Sequence, residues 1–126
     1  WSNSGEGSCA SVREILAKLN KTSGVRGSMI VNRDGIVAAS DLAEETDEAG
    51  MGAMTSHILA ALEGALKRIQ LGRLGRFVIT GSEGKVAIVD AGPALLLVLL
   101  NRDVNMGMVN VEIKEATAAV AEKSKL

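Results

Sequence analysis

The chain has 126 residues, 47% of them hydrophobic, and its 14 Lys and Arg against 15 Asp and Glu leave a formal net charge of -1. That is enough apolar chain for one packed domain, which argues against wholesale disorder, and the charge balance gives no general pull towards nucleic acid or an anionic membrane. Aromatics amount to 2%, which excludes stacking platforms for bases, and the lone Cys9 excludes an intrachain disulfide framework or a Cys-rich zinc site.

The longest apolar run, Ala94 to Leu100, is far short of a membrane span, and no signal-peptide pattern opens the chain. The reading is a cytoplasmic protein. Trp1 to Gly7, rich in Ser, Asn and Gly, read as a flexible tail, which leaves residues 8–126 as the single domain.

A first helix is expected from Ser11. Ser11 and Glu14 have capping-box spacing, and Val12, Ile15, Leu16 and Leu19 form one helical stripe. Gly24 follows where a helix would stop. Ser28 to Asn32 and Ile36 to Ser40 then read as two strands, joined by Arg33-Asp34-Gly35, because Asp-Gly between such runs signals a hairpin. Asp41 to Glu48 holds five acids in eight residues and reads as a solvated loop.

The second helix is expected over about residues 47–70, with a core stripe of Met51, Met54, Ile58, Leu62, Ala65, Leu66 and Ile69. Acids at its start and Lys67 and Arg68 near its end suit the helix dipole. Strands follow at Arg76 to Thr80, Lys85 to Ala91 and Leu95 to Leu100. The first pair is joined by Gly81-Ser82-Glu83-Gly84, a turn expected to use positive φ at glycine. Leu95 to Leu100 is apolar on both faces, which places it centrally with helices over both sides of the sheet. A last helix over about residues 105–122 carries the stripe Met106, Val109, Ile113, Ala116 and Val120. The order α-β-β-α-β-β-β-α, with hairpin-linked strands, predicts an α/β fold on a five-stranded antiparallel sheet.

No catalytic, cofactor or metal set assembles from these residues. Gly81-Ser82-Glu83-Gly84-Lys85 is too short for a phosphate-binding loop and lies between strands. His57 is the only histidine and falls off the apolar stripe, without a nucleophile, acid or further ligands in a recognisable spacing. Cys9 reads as an inert thiol, and the acids Asp41, Glu44, Glu45, Asp47 and Glu48 lack the spacing of a calcium loop. Lys67, Arg68, Arg73 and Arg76 make a small basic patch without aromatic support for nucleic acid.

The informative anomaly is the face of the second helix opposite its stripe: Ala53, Ser56, Ala60 and Gly64. A solvated face normally carries long charged side chains, and glycine inside a helix costs about 1 kcal/mol relative to alanine. A small face admits another backbone, so a protein contact is expected there, with His57 and Lys67 beside it. The strand edge Phe77, Val78, Ile79 and Thr80 is the second candidate interface.

Three stretches resemble the Roadblock/LC7 family: Gly24 to Gly35, Gly84 to Pro93 leading into Leu95 to Leu100, and Asn105 to Val109. The resemblance covers about residues 10–122. It implies a profilin-like or longin-like sandwich that forms dimers, with third strands pairing into one sheet and second helices side by side. Many members bind Ras-like small GTPases, and the bacterial gliding-motility member is a GTPase-activating protein. Others are dynein light chains or lysosomal scaffold subunits. The leading expectation is therefore a non-enzymatic homodimer that binds and regulates a small GTPase, without cofactor, nucleic acid or membrane. The alternatives are a scaffold subunit bridging other proteins and a ligand-sensing α/β domain.

Overall fold

Alternation along the strands decides the layering. In the last strand Leu95 and Leu97 enter one apolar cluster, while Leu96, Val98 and Leu100 enter another. A strand buried on both faces must lie inside a sheet covered on both sides. The computed structural model describes residues 4–43 and 46–124, with side chains over 12–43 and 46–123. Its elements are α1 (Ser4–Asn20), β1 (Val25–Asn32), β2 (Val37–Asp41), α2 (Glu48–Arg68), β3 (Arg76–Thr80), β4 (Gly84–Ala91), β5 (Ala94–Asn101) and α3 (Met106–Ser124).

The sheet order is β2-β1-β5-β4-β3, and every pair is antiparallel. β5 is thus central, between β1 and β4, as its composition requires. On one face Ile30, Ala87, Val89, Leu96 and Val98 pack with Leu16 and Leu19 of α1 and Val109, Ile113 and Val120 of α3. On the other, Met29, Val31, Ile88, Leu95 and Leu97 pack under Leu59 of α2, with Met51, Ile58, Leu62 and Leu66 half-buried around them. The predicted α/β sandwich, with helices on both faces of a five-stranded antiparallel sheet, is the observed fold.

Three local expectations fail, each for a physical reason. α1 begins at Ser4, so Ser11 lies within the helix and cannot be its cap. The side chain of Ser11, like that of Cys9, and residues 1–3 lie outside the described residues. In α2 the stripe is rotated: Met54 is 40% exposed, Ala65 is exposed, and Ile69 caps the helix end at 62% exposure. Gly52, Thr55 and Leu59 form the buried line instead. Thr55 can be buried because its hydroxyl donates to the Met51 carbonyl at 2.7 Å, one turn back. In the β3–β4 turn, neither Gly81 nor Gly84 has positive φ. Gly84 instead leaves room for the Leu100 carbonyl, which would lie 2.9 Å from an added Cβ.

Candidate functional site

α2 is held by its first turn, its inner line and one flank. Asp47 caps the helix by accepting from the Gly50 amide at 3.0 Å. The β1–β2 turn is built by Asn32, whose Oδ1 accepts from the amides of Asp34 (2.9 Å) and Ile36 (3.0 Å), and Gly35 sits at φ 92°. That turn rests directly on the helix backbone. A Cβ at Gly35 would lie 2.9 Å from the Gly52 carbonyl, and one at Gly52 would overlap the Gly35 carbonyl oxygen.

Charge then fixes the flank. Nη2 of Arg33 donates to Asp90 Oδ1 at 2.8 Å and Nη1 lies 3.6 Å from Glu63, so one guanidinium ties the β1–β2 turn to α2 and to the end of β4. Asp90 also accepts from the Gly92 amide at 3.1 Å, and Arg73 stands 3.8 Å from its other oxygen. The Ser56 hydroxyl donates to the Arg33 carbonyl at 3.4 Å.

These contacts leave one side of α2 bare. Ala53, His57, Ala60, Gly64 and Lys67 are exposed, and nothing lies within 4 Å of a Cβ added at Gly64. Ser56 belongs to the margin of this face, half-buried against the hairpin. The second candidate is the strand edge. β3 pairs with β4 on one side and is the last strand of the sheet. Phe77 packs on the α2-side cluster and Val78 on the opposite one, Ile79 is half-buried and Thr80 exposed. A helix face with small side chains at Ala53, Ala60 and Gly64, and an unpaired strand edge, can each receive another polypeptide.

Other sequence candidates are scattered. Arg76 reaches Asn110 on α3, away from Arg73 and its bond to Asp90. Glu44 and Glu45 lie outside the described residues. Among the described residues no three His, Cys, Asp or Glu side chains gather as a metal site, and no helix is long and apolar enough to cross a membrane. Sequence reasoning missed the Arg33–Asp90–Glu63 network, since its members are far apart in the chain. The only local signal was an arginine opening the Asp-Gly turn.

The Roadblock/LC7 domain matches residues 11–101. The chain is 40% identical over 114 residues to the Methanocaldococcus jannaschii protein MJ1340, covering 90% of this chain and 96% of that one. Among solved structures, Myxococcus xanthus MglB superposes with a TM-score of 0.86 at 18% identity, over 90% of this chain and 94% of its own. Acanthamoeba castellanii profilin II gives 0.61 at 16% identity, over 91% and 97%, which places the sandwich in the profilin-like class. With the domain matched across most of its length and a relative this similar end to end, the chain belongs to the Roadblock/LC7 family.

Proposed function

We propose that the chain is a homodimeric, non-enzymatic regulator of a Ras-like small GTPase, with Ala53, Ser56, His57, Ala60, Gly64 and Lys67 on α2 and Phe77 to Thr80 on β3 as its contact surface. The observation that carries this reading is the bare outer face of α2, where Gly64 stands inside the helix, about one turn before its end, with open space before it. Glycine there weakens the isolated helix, and a close protein contact is the compensation that explains it. Family membership supports the kind of partner, and the likeness to MglB supports the fold on which that partner would sit. The regulatory step acts on the GTPase; this chain contributes surface and position.

The test is capture of the Ras-like GTPases of the source organism, each loaded with GDP or with a non-hydrolysable GTP analogue, followed by calorimetry and single-turnover hydrolysis. Nucleotide-dependent binding by a dimeric chain is the expected result. Equal affinity for both nucleotide forms would make the chain a scaffold subunit, and capture of no GTPase would refute the reading.

A further inference from the structure

α3 is anchored along one line. Val109, Ile113, Ala116 and Val120 are buried in the cluster on the side of the sheet opposite to α2. At 3.6 residues per turn, the face pointing away from that line is about 120° wide and carries Met108, Val111, Lys114, Glu115, Ala118 and Glu122, all exposed. Met108 is 68% and Val111 55% exposed, one turn apart, where a solvated helix face normally carries long polar side chains. The far end of the face is small instead, with Ala118 on it and half-buried Ala121 at its margin.

The order of these side chains is self-complementary. Lys114 and Glu115 sit at the middle of the face, on opposite edges of it, and among the described residues neither has an ion-pair partner. Val111 and Ala118 lie equally far from that midpoint, about 5 Å along the axis, and Met108 and Ala121 about 10 Å. A two-fold axis through the midpoint reverses the helix and exchanges the two edges. Each Lys114 then stands beside Glu115 of the other copy, and each large side chain meets a small one. Glu122 falls opposite Gly107 at the start of the other helix. That first turn holds no acid of its own; Asn105 precedes it, its Oδ1 accepting from the Gly107 amide at 3.0 Å. A carboxylate from a second copy supplies the negative charge that a helix N-terminus favours. An isologous contact requires such a match between the two halves of one helix, and a different partner does not.

We propose that the outer face of α3 is a second self-association surface, on which another copy of the chain docks its own α3 antiparallel. The contact lies across the sheet from α2, so it joins chains without using the α2 surface, and it stands independently of the GTPase reading. Two helices in contact bury an area at the low end of specific interfaces, so a dissociation constant on the order of 100 µM is expected. Sedimentation equilibrium of the full chain, from micromolar to millimolar concentration, tests it. The wild-type mass should rise past its micromolar value. Lys114→Glu and Glu115→Lys each set like charges face to face and should weaken this association about tenfold. The two variants mixed should associate as wild type does, since each supplies the charge the other lacks, and so should the swapped chain Lys114→Glu/Glu115→Lys. Damage to α3 itself would not be rescued by mixing. Val111→Glu should hold the mass at its micromolar value. In an Ala60→Arg/Gly64→Arg chain, α3 alone should still take one chain to two, which separates this contact from any contact through α2. A wild-type mass that stays constant to millimolar concentration overturns the proposal. So do single variants that associate like wild type, or a mixture that associates no better than either alone. A photo-crosslinking residue at position 111 is expected to reach the region of Ala118 in a second copy. A link in cell lysate to a different protein, with no chain-to-chain adduct, would give the face to another partner and overturn the proposal as well.

Discussion

Two glycines of α2 separate the effects of one added methyl group. Gly→Ala in a helix interior gains about 1 kcal/mol of helix propensity. At Gly52 the new Cβ overlaps the Gly35 carbonyl oxygen, so the β1–β2 turn must lift from the helix. Overpacking of that kind costs about 1–3 kcal/mol and outweighs the gain. Gly52→Ala should therefore lower the urea midpoint. At Gly64 nothing stands within 4 Å, and the fold accepts the methyl. Gly64→Ala, measured on chain diluted to its monomeric range, should raise the melting temperature by roughly 4 °C. A fall at Gly52 and a rise at Gly64 are the expected pair, and equal effects would contradict the geometry. Gly64 was legible in the sequence as the odd member of a small face. Gly52 was not, because its need for close approach depends on a turn seventeen residues earlier in the chain.

The elements differ in how far the sequence discloses them. β5 was readable because an unbroken apolar run has one stable environment, the middle of a doubly covered sheet. The core line of α2 was misread because periodicity counts apolar residues, whereas the sheet accepts Gly52 and an internally bonded Thr55 and leaves Met54 outside. The flank of α2 depends on Arg33, whose side chain is 28% exposed and that of Asp90 21% exposed. A partly buried arginine bonded to two carboxylates is worth more than a surface pair. Arg33→Ala should cost about 1–2 kcal/mol in denaturant unfolding, since it leaves Glu63 without its cation and Asp90 with only the Gly92 amide and the more distant Arg73. Arg33→Lys keeps the charge but not the fork and should recover less than half of that loss. The coupling between Arg33→Ala and Asp90→Ala in a double-mutant cycle should be about 1 kcal/mol and shrink in high salt; a coupling of zero would deny the clamp.

At the scale of the whole molecule, the open β3 edge and the small face of α2 ask for a second chain. A two-fold axis presents the same patch from both copies, so crossing α2 helices would meet near Ala60 with Ala53 and Gly64 in the contact. α2 spans Glu48–Arg68 and is about 30 Å long at 1.5 Å per residue. In an antiparallel crossing Glu48 of each copy lies towards Lys67 and Arg68 of the other. These charges are near water, so each pair adds at most about 1 kcal/mol and weakens with salt. Close backbone packing at the centre should dominate. Light scattering at micromolar concentration should give about twice the 13.1 kDa chain mass. Ala60→Arg or Gly64→Arg places a long charged side chain in the crossing and should return the mass to that of one chain, while Lys67→Glu/Arg68→Glu should only weaken the dimer, most visibly at low salt. Neither arginine variant threatens the fold, because Ala60 is exposed and the space before Gly64 is open within the chain. A dimer of unchanged affinity in both variants, measured by sedimentation equilibrium, would move the contact to the β3 edge. There the backbone of Phe77 to Thr80 would pair strand to strand and be indifferent to side chains on the helix.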